Sequence, residues 1–390
     1  MSTIYFDNAA TTPLDEEVLS EMLPLFSLNY GNPSSFHSKG LESKDALDDA
    51  RRRVAAILNC NDNEIIFTSG GTESINLALK GIAFSSRQKG NHIITSSIEH
   101  PAVLNTCRYL EKNGFEVTYL KVDKYGMVNP KDIENAITDK TILITIMYAN
   151  NEIGTIQSIQ KIGEIAKAKD IPFHTDACQA AGSLDINVKN LNVDLLSLNG
   201  SKIQGPKGSG ILYKRRELKI EPLIHGGGQE SGLRSGTENL PAIVGFAKAL
   251  EIAQANKDEE NKRLTQLRNH LIESLLKIPK TRLNGHPTER LPNNANLSFM
   301  DIEGESILLY LDKLGFCAST GSACASKSLE PSHVLRAIGL SYEGSHGSIR
   351  FTLGKSTSSE EINELIKKMP EIVEKLRGMS PVKLNMEHFK

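Results

Sequence analysis

The chain has 390 residues and a formal net charge of −2, and its 39% hydrophobic and 24% charged residues are ordinary for a globular protein. A charge so close to neutral gives no field that would draw the chain to nucleic acid or to an anionic membrane. No apolar run approaches the roughly 18 residues of a membrane span. We therefore expect no nucleic-acid and no membrane partner.

Five cysteines are scattered along the chain, at positions 60, 107, 178, 317 and 324. An odd, dispersed set favours a reducing compartment over a disulfide framework. The N-terminal residues have neither the basic start nor the apolar core of a signal peptide, so we expect a cytoplasmic protein. A metal site from Cys317, Cys324 and His333 is conceivable, but no paired ligand spacing supports it, and no metal is expected.

In the first two thirds of the chain, apolar runs of strand length alternate with helical patterns. Several runs are nearly continuous Ile, Leu, Val and Phe, as in strands buried on both faces. The alternation predicts an α/β fold with a mostly parallel sheet covered by helices. The predicted strands are Glu64–Thr68, His92–Ser97, Glu116–Val122, Thr141–Tyr148, Pro172–Thr175, Asp194–Leu198 and Gly210–Tyr213.

The pattern changes after about residue 240 and predicts a smaller α+β domain. A charged, apolar-poor interval at Lys257–Arg263 is a candidate hinge. Thr357 and Glu360 are spaced as a capping box at the start of a terminal helix. The predicted elements of this region are strands at Ala295–Phe299, Gly315–Ala318 and Ser348–Leu353 and the helix near Glu360–Arg377.

The segment Ser69-Gly70-Gly71-Thr72-Glu73 follows a predicted strand and begins an amphipathic helix. Glycines let the backbone approach an anion, free amides at a helix start bind phosphate, and Thr72 can add a hydroxyl donor. Alone, a Gly-Gly pair is more often a simple turn. The segment is neither a P-loop nor a dinucleotide fingerprint, because the required lysine or glycine spacing is absent.

Asp176 and Lys202 follow two further predicted strands, where open α/β sheets bind their ligands. A carboxylate there can pair with a protonated ring nitrogen, and a lysine in a glycine-rich turn can form a Schiff base with an aldehyde. The alternatives are a helix N-cap for Asp176 and a surface charge for Lys202. With the phosphate-binding helix start, these residues are the three groups that pyridoxal phosphate (PLP) needs, so PLP is the predicted cofactor.

Other polar residues stand at strand ends or within strands. His100 can stack on a flat cofactor and move protons, although a lone histidine is more often structural. Gln179 can reach a ring substituent, and Asn151 can donate to a cofactor oxygen or to a substrate carboxylate. Arg350 can grip a carboxylate bidentately.

Two loops carry further candidates. The glycine-rich stretch from His225 to Thr237 is suited to meeting a ligand or another subunit. Cys324 lies in Ser319–Ser328, where small residues predict a mobile backbone and an exposed thiol. The other four cysteines are expected to be structural.

Taken together, these motifs resemble the cysteine desulfurases, a branch of the class V aminotransferase group with the fold type I architecture of PLP-dependent transferases. The resemblance runs from Tyr5–Thr12 and Gly31–Ser35 to Gly321–Cys324 and Leu329–Ser332. It implies a large domain, residues 13–258, with a mostly parallel seven-stranded sheet. It also implies a smaller α+β domain, residues 1–12 and 259–390, with a mobile cysteine loop at about 318–330.

The resemblance also implies a role for each candidate residue. Lys202 would be the Schiff-base lysine, Asp176 would pair with the pyridine nitrogen, and His100 would stack on the ring. The remaining implied contacts are Gln179 with the phenolic oxygen, Gly71 and Thr72 with the phosphate, Asn151 and Arg350 with the substrate carboxylate, and Thr237 with the phosphate of a neighbouring subunit. The last contact implies a homodimer.

One position departs from the family pattern. The family usually has Ser-x-His-Lys where this chain has Asn199-Gly200-Ser201-Lys202. Asn199 and Ser201 can still donate hydrogen bonds to the phosphate, but the possible charge of the histidine is lost. A lower cofactor affinity is therefore expected.

The implied reaction converts L-cysteine to L-alanine. Lys202 would remove the Cα proton, and the Cys324 thiolate would attack the substrate sulfur and become a persulfide. The sulfur would then pass to an iron–sulfur scaffold protein or into tRNA thiolation. The alternatives are a selenocysteine lyase, another class V aminotransferase or lyase, and a sulfur carrier that has lost cofactor binding.

Overall fold

The computed structural model describes residues 3–320 and 331–380. Its strands are β1 (Ile4–Tyr5), β2 (Ile65–Thr68), β3 (His92–Ser96), β4 (Glu116–Leu120), β5 (Thr141–Thr145), β6 (Phe173–Asp176), β7 (Leu195–Asn199), β8 (Gly210–Lys214), β9 (Thr281–Asn284), β10 (Asn294–Phe299), β11 (Phe316–Cys317) and β12 (Ser348–Thr352). Its helices are α1 (Glu16–Met22), α2 (Pro24–Ser27), α3 (Ser38–Leu58), α4 (Gly71–Ser85), α5 (Pro101–Glu111), α6 (Pro130–Ala136), α7 (Ile159–Ala168), α8 (Val188–Leu191), α9 (Leu240–Ala255), α10 (Lys257–Leu275), α11 (Gly304–Lys313), α12 (His333–Ala337), α13 (Tyr342–His346) and α14 (Ser359–Met379).

Seven strands form the central sheet in the order β2-β8-β7-β6-β5-β3-β4. All neighbours are parallel except β8, which runs antiparallel to both β2 and β7. Successive side chains of a strand point to opposite faces, and both faces of this sheet are buried: Leu196 and Leu198 pack in one hydrophobic cluster and Leu195 in another. The α/β fold with a mostly parallel seven-stranded sheet is confirmed.

A second hydrophobic core lies around the three-stranded antiparallel sheet β12-β10-β9 and the parallel pair β1-β11. It includes Phe6 from the N-terminal segment together with residues of α10, α11 and α14. The first residues of the chain thus pack with the last third of the chain. The domain boundaries given above stay a prediction.

The structure corrects the predicted start of the terminal helix. The capping box consists of Ser358 and Glu361, one residue beyond the predicted pair, and the Glu361 carboxylate accepts from the Ser358 backbone N–H at 2.9 Å. The Thr357 hydroxyl instead accepts from the Gly354 backbone N–H at 2.9 Å. Thr357 closes the preceding turn and therefore does not cap the helix.

The charged interval Lys257–Arg263, the candidate hinge, forms the first turns of α10, and its role as a hinge stays a prediction. The junction between α9 and α10 lies one residue earlier, at Asn256, which caps both helices. The short strands β1 and β9 were not predicted. No helix in the described part of the chain is both long enough and apolar enough to cross a membrane.

Candidate functional site

Two predicted site residues lie side by side at the carboxyl edge of the central sheet. Asp176 is the last residue of β6, and Lys202 ends the 3₁₀ turn Gly200–Lys202 that follows β7. The two strands are parallel neighbours, with Asp176 in register with Ser197. Because the carboxyl ends of parallel strands meet along one edge, both side chains belong to the same crevice.

Asp176 is buried near two other titratable side chains. It is 6% exposed, and its carboxylate accepts from the Cys178 backbone N–H at 3.0 Å. Burial lowers the pKa of His174, on the same strand, to about 4. Burial also raises the pKa of the nearby Glu99 carboxyl to about 8. Near pH 7 both neighbours are therefore mostly neutral.

The turn formed by residues 7–12 closes the site from the N-terminal side. The Lys202 ammonium donates to the backbone carbonyl of Ala10. The Gln179 side-chain amide donates to the carbonyl of Ala9 at 3.0 Å. The turn therefore holds two predicted site residues.

Helix α4 begins without a side-chain cap, and its N-cap residue Gly70 has a φ of 142°, a conformation that favours glycine. The first backbone N–H groups of the helix lack intrahelical partners and border a cavity of about 360 Å³. The hydroxyl of Thr11, which also lines the cavity, is buried and has no hydrogen-bond partner in the described part of the chain. Free amides, hydroxyls and the Lys207 ammonium form a donor set that fits a phosphate group.

The residues that depart from the family pattern, Asn199 and Ser201, line this same cavity. The Asn199 side-chain carbonyl accepts from both the backbone N–H and the hydroxyl of Ser201, each at 3.1 Å. The carbonyl is therefore occupied, and the Asn199 side-chain NH₂ is the group that can donate to a ligand. Neither residue brings a charge.

His100 lies in a neighbouring cavity of about 370 Å³ that Thr72 also lines. It is the N-cap of α5, and its Nδ1 accepts from the Ala102 backbone N–H at 3.1 Å. Burial lowers the pKa of His100, Asp176 opposes this shift, and Lys202 adds to it. The neutral ring therefore carries its proton on Nε2.

Arg350 on β12 is 3% exposed and bound by two groups. Its Nη2 donates to the Asp7 carboxylate at 2.7 Å, and its Nη1 donates to the Asn151 backbone carbonyl at 2.9 Å. Its Nε is buried and has no partner among the residues described. The structure thus brings Arg350 and Asn151 together, and the Nε of the guanidinium is the nitrogen without a partner among the residues described.

Two predicted site residues are not brought into this group. Thr237 is exposed, in the irregular segment before α9, and does not line the cavity at the start of α4. Cys324, with residues 321–330 of the predicted cysteine loop, lies outside the described residues.

Sequence reasoning missed the roles of Asp7, Thr11 and Lys207. The available signal for the first two was a run of small, amide and hydroxyl residues, Asn8–Thr12, without the apolar period of a helix or strand. Lys207 follows a proline in the glycine-rich turn beyond Lys202, and nothing in this sequence context distinguishes it from an ordinary surface lysine.

A family model and two curated relatives match nearly the whole chain. A family model described as aminotransferase class-V matches residues 4–365. The chain is 60% identical over 379 residues to "Cysteine desulfurase IscS" of Methanosarcina thermophila, covering 97% of this chain and 94% of that protein. It is 54% identical to the protein of the same name from Dictyoglomus turgidum, covering 97% of each.

Two solved structures also superpose on most of the chain. A "NifS-like protein" superposes with a TM-score of 0.91 at 40% identity and covers 96% of this chain and 100% of that chain. "SspA in complex with cysteine" superposes with a TM-score of 0.80 at 41% identity and covers 90% and 99%.

Proposed function

We infer that the chain, which belongs to the class-V aminotransferase family, is a PLP-dependent cysteine desulfurase that converts L-cysteine to L-alanine. The observation that carries the assignment of its site is the placement of Lys202 and Asp176 at neighbouring strand ends, beside the uncapped start of α4. The names of the relatives and the cysteine complex of one structural neighbour support the substrate. The selenocysteine and aminotransferase alternatives are not favoured.

When bound, PLP supplies an aldehyde for covalent attachment to an amine and a ring that accepts an electron pair. Lys202 would hold the aldehyde carbon, and Asp176 would keep the ring nitrogen protonated. His100 would stack on the ring, and Gln179 would contact the phenolic oxygen. Gly71, Thr72, Asn199 and Ser201 would hold the phosphate.

The protein's own groups then handle the substrate. Arg350 and Asn151 orient the carboxylate of L-cysteine, and the buried Nε of Arg350 supplies the donor that no described protein group uses. The Lys202 amine, oriented by the Ala10 carbonyl, removes the Cα proton. His100, with its proton on Nε2, moves protons beside the ring.

Cys324 accepts the sulfur. Its thiolate attacks the sulfur of the substrate, an S–S bond forms, and the Cβ–S bond of the substrate breaks. The electron pair stays with the carbon skeleton, which is protonated and leaves as L-alanine. Cys324 is left as a persulfide and passes its sulfur to an iron–sulfur scaffold protein or another acceptor.

Three further properties belong to the proposal. The enzyme is a homodimer, in which the exposed Thr237 reaches the phosphate of the neighbouring subunit. It works in the cytoplasm. Its large domain is residues 13–258, and its small domain is residues 1–12 and 259–390.

The function is tested with Cys324→Ser. This variant should keep the absorbance of the bound cofactor but form no protein-bound persulfide with L-cysteine, because serine offers no sulfur nucleophile. Persulfide is measured by alkylation and mass spectrometry, and alanine by chromatography, with the core variant Cys107→Ser as the control. Undiminished sulfide release and alanine formation by Cys324→Ser would defeat the assignment. Turnover of selenocysteine but not cysteine by the wild type would favour the lyase.

Asp7→Asn should raise KM for L-cysteine about tenfold with a smaller change in kcat, because the carboxylate at 2.7 Å fixes the guanidinium that receives the substrate. Asp7→Glu, which keeps the charge, should recover part of the loss. Asp48→Asn on the exposed face of α3 serves as the control. A KM lower than that of the wild type would mean that Asp7 competes with the substrate instead of orienting Arg350.

A further inference from the structure

We propose that Lys207 and the hydroxyl of Thr11 bind the cofactor phosphate, and that Lys207 supplies the positive charge that Ser201 cannot. The inference rests on the proposed function, because it names two further residues of this chain that hold the PLP phosphate. Both residues line the cavity at the start of α4, together with Thr72 and Asn199.

The need for a cation follows from the charges at this cavity. A phosphate monoester carries about −1.5 to −2 charges near pH 7, whereas a helix N-terminus offers only about half a positive charge. Asn199 and Ser201 are neutral, and the nitrogen of Lys202 is committed to the cofactor aldehyde. A second lysine or arginine is therefore the group that can complete the neutralisation.

Two charged side chains line the cavity, Glu73 and Lys207. Glu73 is already neutralised: one carboxylate oxygen accepts from the Arg234 Nε at 2.9 Å, and the other accepts from the Ser69 backbone N–H at 2.8 Å. Lys207 forms no ion pair with any described residue. Among the residues that the structure describes, Lys207 therefore carries the positive charge available to an anion in the cavity.

Hydrogen bonds fix the backbone around Lys207. Binding of an anion by its ammonium therefore does not carry the entropic cost of ordering a flexible loop. The Gly200 N–H donates to the Ser209 carbonyl at 3.0 Å, which ties the base of the loop to the end of β7. The Ser209 hydroxyl donates to the Pro206 carbonyl at 2.6 Å, next to Lys207 itself. These bonds hold Lys207 at the rim of the cavity.

Thr11 provides an independent sign that a ligand acceptor belongs here. Its hydroxyl is buried without a partner in the described residues, and a buried unpaired hydroxyl costs stability. The backbone of Thr11 is held in place, because its carbonyl accepts from the Tyr5 hydroxyl at 2.9 Å. Because Thr11 lines the cavity, a rotation of its side chain would let this hydroxyl donate to a phosphate oxygen there.

The test compares PLP with pyridoxal, which lacks the phosphate but keeps the aldehyde and the ring. The full-length chain is freed of cofactor and titrated with each compound, and binding is followed by the change in absorbance. Lys207→Met should weaken PLP binding by about 10- to 100-fold, as expected for one charge-assisted hydrogen bond, and leave pyridoxal binding unchanged. Thr11→Val should weaken PLP binding by about 3- to 10-fold with the same selectivity.

Two controls make the outcome specific. Lys207→Arg should retain most of the PLP affinity, and Lys219→Met, at an exposed lysine on the far edge of the sheet, should behave as the wild type. The salt dependence of PLP binding should also be shallower in Lys207→Met. Equal PLP affinities of Lys207→Met and the wild type, or equal losses for PLP and pyridoxal, would overturn this inference and leave the proposed function unaffected. Failure of the wild type to bind PLP would instead overturn the proposed function.

Discussion

Replacing Lys202 by alanine should lower alanine formation from L-cysteine by roughly 10²- to 10⁴-fold, the range that a positioned proton-transfer group contributes. The lysine ends the turn after β7, and its ammonium donates to the Ala10 carbonyl, so the amine is held in one place at the carboxyl edge of the sheet. Lys202 lines a separate cavity of about 350 Å³ together with Gln179, and the lysines that line the cavities beside His100 and Asn199 among the residues described are Lys80 and Lys207. Neither of these follows a strand end next to Asp176.

The measurement has a readout besides turnover. Borohydride treatment of the wild type followed by digestion and mass spectrometry should place the cofactor on the peptide that contains Lys202. The Lys202→Ala protein should yield no such adduct, although the phosphate cradle is intact and PLP can still bind noncovalently. Lys219→Ala is the matched control for loss of an exposed lysine. A cofactor adduct and normal turnover in Lys202→Ala would remove the lysine from its assigned role.

The strand ends that carry the site could be predicted because they depend on local pattern. The apolar runs before Asp176 and Lys202 gave β6 and β7 to within a residue at either end, and parallel pairing then places their carboxyl ends together. The same reasoning missed the turn at residues 7–12. Its contacts join positions far apart in the sequence: Ala10 and Lys202 are 192 positions apart, and Asp7 and Arg350 are 343 apart.

The capping-box error has a local cause. Thr357 and Glu360 have the right spacing, and so do Ser358 and Glu361, and spacing alone does not choose between them. The Gly354 N–H donates to the Thr357 hydroxyl, so this hydroxyl is used in the preceding turn. Ser358 is the N-cap of the helix instead. A pattern of residue types does not show which hydroxyl group is already used by the preceding turn.

Replacing Asp176 by asparagine should lower kcat by about 10²- to 10³-fold, the usual cost of removing one preorganised electrostatic group. The amide has nearly the same shape, and its oxygen can still accept from the Cys178 N–H that binds the carboxylate at 3.0 Å. The fold and the cofactor site should therefore survive. What would be lost is the negative charge that, in the proposed site, keeps the ring nitrogen protonated and makes the ring a strong acceptor of electrons.

The neighbours of Asp176 cannot replace that charge. His174 is mostly neutral because burial lowers its pKa to about 4, and the Glu99 carboxyl is mostly protonated near pH 7 because burial raises its pKa to about 8. Asp194→Asn is the matched control, since Asp194 is a half-buried aspartate at the opposite end of the same sheet, where it accepts from the Phe173 N–H at 2.9 Å. The rate with L-cysteine and the pH titration of the bound cofactor's absorbance should change in Asp176→Asn and not in Asp194→Asn. Equal rates in the two variants would mean that the charge on the ring is set elsewhere.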